Sequence, residues 1–168
     1  SPKGVGGYST PVIFTHGKNR EVLLFSAKAL VSTNLKNGKK EWEYPWVTGY
    51  DVNASDPLVI KNRIFISSGY GKGGILLDLS GKSPKKIWQN KNLRTHFSSL
   101  LYKDGFIYGS DGNSGSRSNL RCIEVSSGKI QWEKKLSMGS LTGINNEYFI
   151  FYTERGEVIT VLLTNNEF

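Results

Sequence analysis

Short apolar runs separated by polar turns recur along the chain. Each unit opens with a run such as "STPVIF", "SDPLVI", "FSSLLY" or "GSLTGI". A second run rich in β-branched and aromatic residues follows in three units, as "IFISS", "FIYGS" and "YFIFY". Such runs, bounded by Gly, Asn and Asp, are typical of β-strands, and no stretch has the 3.6-residue period of an amphipathic helix. The pattern predicts an all-β chain with four short strands in each unit.

Three tryptophans recur in phase with these strands. "NLKNGKKEW" ends at Trp42, "LDLSGKSPKKIW" at Trp88 and "IEVSSGKIQW" at Trp132. They stand roughly 45 residues apart, which is the repeat length of four-stranded β-propeller blades. A large ring at a fixed position of the outer strand buries surface between neighbouring blades, so we expect all three to dock blades together. Gly38 and Gly128 are expected to provide the positive φ of the tight turns before two of them.

The units predict blades at approximately residues 8–46, 54–91, 97–136 and 139–168. The last unit supplies three runs and reaches Phe168 without an outer strand or a tryptophan. Known propellers have 4–8 blades, and about three and a half blades do not close such a ring. The expected fold is therefore part of a larger propeller, incomplete at the C-terminus, with open edges available for self-association.

The repeat resembles a known family. The pattern A-x-D-x-x-T-G-x-x-x-W marks the PQQ-like, or quinoprotein-like, β-propeller repeat of bacterial quinoprotein alcohol dehydrogenases and of the outer-membrane assembly lipoprotein BamB. The middle unit departs from this pattern, because "KSP" is inserted between Gly81 and Trp88. The resemblance implies an intact ring of seven or eight blades and a periplasmic or other extracytoplasmic location. Two copies of the motif are made by Ser32, Asn34, Asn37, Gly38 and Trp42, and by Cys122, Glu124, Ser127, Gly128 and Trp132.

The predicted turns form two groups. In a propeller, the loops after the second and fourth strands of each blade share one face, and the other turns share the opposite face. "KNR", "KDG", "NNE", "KNG" and "SSG" are tight, whereas "THGKNR", "VTGYDVNASD", "SSGYGKGG", "NKNLRTHF", "GSDGNSGSRSN" and "TERG" are assigned to the face with long loops. Long loops on a rigid scaffold usually carry binding. We expect ligand contacts there from Tyr50, Asp51, Asn53, Tyr70, Arg94, His96, Asp111 and Asn113.

The stretch "GYGKGG" matches the G-x-G-x-x-G spacing of nucleotide-binding loops. A dinucleotide-binding fold needs a helix after this loop, but "ILLDLSGKSP" has the pattern of a strand and a turn. The kinase signatures V-A-I-K, H-R-D and D-F-G do not occur in the sequence. The glycines are therefore predicted to allow tight backbone in a loop between two strands.

Composition and charge restrict the partners. The chain has 168 residues and a formal net charge of +8, but its lysines are not interleaved with aromatic residues, as a groove for single-stranded nucleic acid requires. No nucleic-acid partner is expected. One cysteine and two histidines do not suit a zinc centre, and no metal site is predicted. No apolar run approaches the roughly 20 residues that span a bilayer.

Two functions from different classes remain open. The first is a non-catalytic scaffold that binds a protein or a small molecule and needs no cofactor. The second, implied by the resemblance, is a fragment of a PQQ-dependent alcohol dehydrogenase, which alone brings PQQ and calcium. Catalytic members of that family pair adjacent cysteines beneath the quinone, whereas this sequence has only Cys122. No catalytic residue is assigned. A lectin-like or polyanion-binding role rests only on the lysine-rich turns.

Overall fold

The computed structural model describes residues 5–145 and 147–168, and fifteen β-strands lie within these ranges. The strands form four antiparallel sheets, in which each strand pairs with its neighbour along the chain. Each sheet corresponds to one predicted blade. Within the described ranges, no helix has the length and apolar character needed to cross a bilayer.

The four blades follow one another in sequence. Blade 1 contains β1 (Val12–His16), β2 (Asn19–Phe25), β3 (Ala29–Asn34) and β4 (Lys40–Pro45). Blade 2 contains β5 (Leu58–Ile60), β6 (Arg63–Ser68), β7 (Gly73–Asp78) and β8 (Lys85–Asn90). Blade 3 contains β9 (Leu100–Lys103), β10 (Phe106–Asp111), β11 (Ser118–Glu124) and β12 (Ile130–Leu136). Blade 4 contains β13 (Gly139–Gly143), β14 (Tyr148–Thr153) and β15 (Val158–Leu162).

Successive blades are joined face to face by apolar cores. Side chains alternate between the two faces of a strand, so a middle blade contributes to two cores. In β6, Ile64 and Ile66 pack against blade 1, whereas Phe65 packs against blade 3. A third core joins blades 3 and 4 around Tyr108 and Phe149. This stacking confirms the predicted all-β propeller with four-stranded antiparallel blades.

The tryptophans occupy one register position in three blades. A shift in the strand pairing follows this position each time, so the local bulge is part of the repeat. The inserted "KSP" lengthens the turn before β8 without moving Trp88 out of this register. The three cross-strand pairs are Ser32 with Trp42, Leu76 with Trp88, and Cys122 with Trp132.

Two of the indole rings also donate a hydrogen bond to the next blade. Nε1 of Trp88 donates to the carbonyl oxygen of Val125 at 2.8 Å, and Nε1 of Trp132 donates to that of Thr164 at 2.8 Å. Trp132 is buried and Trp88 is half-buried. Each ring therefore contributes apolar burial and a hydrogen bond between blades. The turns before Trp42 and Trp132 contain Gly38 and Gly128, both with φ of 68°.

The described blades form an open part of a ring. The three apolar cores join blade 1 to 2, 2 to 3 and 3 to 4, and no such core joins the first and fourth blades within residues 5–145 and 147–168. The outward face of blade 4 exposes Tyr148, Tyr152, Val158 and Leu162. These apolar side chains lie at one of the two open ends of the described blades, and self-association through the open edges stays a prediction.

Candidate functional site

One edge of the blades gathers most of the longer connections, and we call it the long-loop face. The sequence assigned "THGKNR" to this face, and that assignment was wrong, because Gly17 and Lys18 form the β1–β2 turn at the opposite edge. The polar residues Asn19 and Arg20 after the turn belong to β2, and because both are exposed their sequence has the pattern of a loop. The long-loop face consists of residues 5–11, 26–28, 46–57, 69–72, 91–99, 112–117, 137–138 and 154–157.

Asn53 ties the loops of blades 1 and 2 together. Its side chain is fully buried, and Nδ2 donates to the carbonyl oxygens of Ser26, Ala27 and Trp46 at 2.9, 3.0 and 3.2 Å. Its Oδ1 accepts a hydrogen bond of 2.6 Å from the hydroxyl of Ser68. The amide thus bonds to four polar groups from three segments, and this fixes the shape of the loops.

Asp111 has a similar internal role in blade 3. It is 1% exposed, and its carboxylate accepts hydrogen bonds from the backbone NH and Nε of Arg94 at 2.7 and 3.0 Å. Its Oδ2 also lies 2.6 Å from Nη2 of Arg94 and 2.8 Å from Nη1 of Arg121. The hydrogen bond to Asp111 raises the pKa of Arg94. Two guanidinium groups therefore compensate one buried carboxylate.

The loop of "GYGKGG" turns sharply between β6 and β7. Tyr70 has φ of 53°, a left-handed conformation that is strained for a side chain of this size, and Asn113 Oδ1 accepts a hydrogen bond from its NH at 2.8 Å. At Gly73, with φ of 92°, a Cβ would lie 2.1 Å from the carbonyl oxygen of Asn90. The glycine is required by this close approach, and the loop presents Tyr70 at the surface.

His96 is buried beneath this loop with one unpaired nitrogen. Its Nδ1 accepts a hydrogen bond from the NH of Ser114 at 3.3 Å, so the proton of the neutral ring is on Nε2. Burial lowers the pKa of His96 below its ordinary value of 6.5 and favours that neutral form. Nε2 has no hydrogen-bond partner within the part of the chain that the structure describes. The adjacent Cδ2 would lie 3.1 Å from a Cβ at Gly69, so this edge of the ring lies under the Tyr70 loop.

Five aromatic side chains form a continuous row across the long-loop face, and we call this row the aromatic ladder. In order, the centroids of Tyr50, Tyr70, His96, Phe97 and Tyr8 are separated by 4.7, 4.7, 4.3 and 5.8 Å. Tyr50 is 72% exposed, Phe97 51% and Tyr8 69%. The ladder therefore has a buried centre and exposed rings on both sides of it.

The structure divides the predicted ligand residues into two kinds. Asn53, Arg94, Asp111 and Asn113 are engaged in internal hydrogen bonds, and Asp51 lies 3.6 Å from Nζ of Lys28. Tyr50, Tyr70 and His96 belong to the ladder. Phe97 and Tyr8 were not predicted, although Phe97 directly follows His96 in the same loop and Tyr8 precedes the first strand.

The acidic residues of this face do not fit a calcium site. Asp111 is bound by two arginines and Asp51 lies beside a lysine, whereas calcium needs several oxygen ligands around one point. Within residues 5–145 and 147–168, no group of three His, Cys, Asp or Glu side chains is placed to hold a metal ion. Cys122, the one cysteine of the chain, is buried in the core between blades 3 and 4.

The opposite edge contains a polar link between blades 1 and 2 that the sequence analysis missed. Buried Glu21 accepts hydrogen bonds from the hydroxyl of Ser32 at 2.5 Å and lies 3.0 Å from Nδ1 of His16. Nε2 of His16 lies 2.8 Å from the carbonyl oxygen of Leu79. In blade 3, the corresponding carbonyl, of Val125, accepts from Trp88 instead. At the carbonyl of Leu79, His16 thus takes the place that the indole of Trp42 would have as donor. In the sequence, the only indication of this role is a single histidine directly before a Gly turn.

Comparison with known proteins identifies the repeat. Residues 4–134 match the family model described as outer membrane protein assembly factor BamB. Among curated proteins, none matches the chain significantly in sequence.

Several solved structures share the fold. The chain is similar to a europium-containing methanol dehydrogenase (TM-score 0.59, 15% identity), over 80% of this chain and 26% of that one. It is also similar to the computationally designed Ika4 protein (TM-score 0.60, 6% identity), over 93% and 92%. The C-terminal domain of Pseudomonas aeruginosa PilY1 matches with a TM-score of 0.59 and 12% identity, over 86% and 38%. The chain thus spans about a quarter of the dehydrogenase, and at these identities the likeness concerns the fold alone.

Proposed function

This chain belongs to the family of the outer membrane assembly factor BamB, built from PQQ-like repeats, and we propose that it is a non-catalytic scaffold that binds a partner polypeptide on its long-loop face. In keeping with the family, the proposed location is extracytoplasmic. The proposal concerns the face formed by these four blades and assigns no catalytic residue.

The aromatic ladder is the observation that supports binding. Tyr50, Phe97 and Tyr8 expose most or half of their surface although large rings are normally covered in a folded protein. Tyrosine and phenylalanine are enriched in the centres of protein interfaces, where they supply large contact area with few rotatable bonds. A contiguous row of such rings on one face is therefore better suited to a partner than to solvent.

The polar residues beneath the ladder support the same function in another way. Asn53 ties the β2–β3 loop, the β4–β5 loop and the end of β6 together, and Asp111 fixes the loop that carries Arg94. Because these loops are held before binding, less conformational entropy is lost when a partner docks. The face thus combines exposed apolar contact area with a rigid support.

A fragment of a quinone-dependent dehydrogenase is the second candidate. The fold likeness to the europium-containing methanol dehydrogenase favours it. The residues of the long-loop face do not fit the metal that such an enzyme requires, because Asp111 is neutralised by Arg94 and Arg121. The redox chemistry of that class is supplied by the quinone, and the protein must bind and orient it.

An unbiased peptide library tests the scaffold function. Phage displaying random peptides are selected on the wild-type chain and then assayed on Tyr50→Ala/Phe97→Ala, in which two exposed rings are removed. We expect selected clones to lose at least tenfold in affinity for this variant. Tyr102→Ala is the matched control, because Tyr102 is 39% exposed on β9, beside the turns of the opposite edge. It should bind like the wild type.

The enzyme alternative is tested in parallel on the same chain. PQQ is titrated by calorimetry with calcium or a lanthanide, and dye-linked alcohol oxidation is measured. Micromolar binding with turnover would replace the scaffold proposal by the dehydrogenase. Selection of no clone that depends on Tyr50 and Phe97 would also contradict the proposed function.

A further inference from the structure

The outward face of blade 4 has the composition of a buried blade face. On β14, Phe149 packs against blade 3, whereas Tyr148 and Tyr152 alternate with it and lie on the exposed side of the sheet. The strand register pairs Tyr148 with Leu162 and Tyr152 with Val158 of β15, and both β15 residues are exposed. These four side chains therefore form one apolar surface, which we call the blade 4 face.

The corresponding face of every other blade is covered by the next blade. In blades 1, 2 and 3, the second strand contributes to this face Leu23, Phe65 and Tyr108, which are at most 1% exposed. Each of them belongs to the apolar core shared with the following blade. The blade 4 face thus has the position and the composition of a surface that packs against another blade.

Blade 1 exposes the complementary surface at the other end. In blade 2, the face that receives blade 1 contains Ile64 and Ile66. The strand register places Val22 and Leu24 at the equivalent positions of blade 1. Exposed Ile13 pairs with Val22 and extends this surface, and Leu24 lines a cavity of about 590 Å³. We call the surface of Ile13, Val22 and Leu24 the blade 1 face.

The two end blades carry opposite net charges. Residues 139–168 contain four glutamates and one arginine, whereas residues 8–46 contain six lysines and arginines and only three glutamates. Blade 4 is thus acidic and blade 1 is basic. Because opposite charges attract and like charges repel, the blade 4 face is better matched to a blade 1 face than to another blade 4 face.

The charges also match in position on the long-loop face. Equivalent loops of neighbouring blades lie side by side, since Ser114 of the β10–β11 loop donates to Glu154 of the β14–β15 loop at 2.9 Å. A blade 1 that followed blade 4 would therefore place Lys28 of its β2–β3 loop beside Glu157 of the β14–β15 loop. Both side chains are exposed in the isolated chain.

We infer that two copies of this chain close one eight-bladed ring, in which the blade 4 face of each copy packs against the blade 1 face of the other. Four blades are half of such a ring, so a twofold axis generates two identical contacts. Once the first contact has formed, the remaining two faces are held close together, and the second contact forms as an intramolecular step. This assembly is separate from the scaffold function and does not depend on it.

Sedimentation velocity of the 168-residue chain measures the assembly. The monomer has a mass of 18.7 kDa. We expect a species of twice that mass with a dissociation constant below about 10 µM. Because the ring is closed, the mass should not rise further with concentration. Added NaCl should weaken the dimer, since the contact joins opposite charges.

Substitutions at the two end faces test where the copies meet. Tyr152→Lys places a positive charge against basic blade 1, and Ile13→Glu places a negative charge against acidic blade 4. Each change occurs in both contacts of a homodimer, so we expect at least tenfold weaker dimerisation of either variant. Both side chains are exposed, and circular dichroism should show an unchanged fold. Tyr102→Lys is the matched control, because β9 of blade 3 lies at neither end, and it should dimerise like the wild type.

Mixing the two end-face variants shows which faces pair. The intact blade 1 face of a Tyr152→Lys copy can pack against the intact blade 4 face of an Ile13→Glu copy, which restores one wild-type contact. With a fluorescent label on one variant, we expect heterodimers at concentrations at which each variant alone is monomeric. A dimer made from two blade 4 faces would be weakened by Tyr152→Lys alone and would show no such rescue, which would overturn the inference.

Three other results would also overturn it. A chain that stays monomeric up to about 100 µM would show that these faces do not join two copies. A mass that keeps growing with concentration would show an open series of copies in place of a closed ring. A dimer that neither Tyr152→Lys nor Ile13→Glu weakens would place the contact elsewhere on the molecule.

Discussion

Replacing the blade tryptophans by phenylalanine tests how the blades are joined. Trp42 and Trp132 occupy the same register position and are 5% and 8% exposed. They differ at the indole nitrogen. Nε1 of Trp132 donates to the carbonyl oxygen of Thr164, whereas Nε1 of Trp42 has no partner among residues 5–145 and 147–168. His16 lies within hydrogen-bond distance of the carbonyl oxygen of Leu79 in blade 2. The equivalent carbonyl in blade 3 is that of Val125, which accepts the hydrogen bond of Trp88.

The structure predicts which of the two Trp→Phe substitutions lowers the free energy of unfolding more, and by how much. Trp→Phe removes the same ring atoms at both sites, so the loss of packing largely cancels between Trp42 and Trp132. At Trp132 the substitution also removes a hydrogen bond worth about 1 kcal/mol. At Trp42 it removes an unsatisfied buried NH, whose presence costs about 1–3 kcal/mol. We therefore expect Trp42→Phe to be less destabilising than Trp132→Phe by about 2–4 kcal/mol.

Urea unfolding followed by far-UV circular dichroism measures this difference. The free energies of unfolding are compared only if the denaturant dependence is the same in all variants, since a changed slope indicates altered compactness or loss of two-state behaviour. Trp88→Phe is the intermediate case, because it loses the bond to Val125 from a half-buried ring. The reasoning is refuted if Trp42→Phe destabilises the protein as much as Trp132→Phe.

Two further predictions concern buried groups of blade 3. Asp111→Ala should lower the free energy of unfolding by about 3 kcal/mol, because it leaves the backbone NH of Arg94 without its acceptor and removes one of the two carboxylates that pair with Arg121. Arg94→Ala, at a side chain that is 39% exposed, should cost about 1 kcal/mol in the same urea assay, and equal losses would contradict the buried network. Burial raises the pKa of Cys122 to about 12, so its thiol should resist iodoacetamide at pH 8 in the folded protein and react after unfolding. Rapid alkylation without denaturant would contradict this.

The fold could be predicted because its determinants are local and repeated. Alternating apolar residues define each strand, and the tryptophans recur at one register position in three blades. The error in blade 1 has the same local origin. Asn19 and Arg20 begin β2 as exposed polar residues, and in a single sequence they cannot be told from the loop before them. The position of Gly17, with φ of 60°, marks the true turn.

The roles of the loop residues were not predictable because they depend on contacts between distant positions. The sequence pattern marks Asn53 only as a polar loop residue, whereas in the structure its amide bonds to Ser26 and Ala27, more than twenty-five positions earlier. Asp111 pairs with Arg94 across two strands. Sequence patterns indicate which side chains occupy a face, whereas the hydrogen bonds that engage them appear only when the loops are assembled.

The buried polar residues and the exposed aromatic rings have different roles, and together they explain how the long-loop face can be rigid and still bind a partner. Loops need their polar groups satisfied, and Asn53 and Asp111 do this inside the protein without using the outer surface. The residues left at the surface are rings such as Tyr50 and Phe97, whose exposure gains nothing in the isolated chain. Their burial against a partner gains apolar contact, and the fixed loops keep the entropy loss small. Substitutions in the ladder should therefore affect binding far more than folding, and substitutions beneath it should affect folding first.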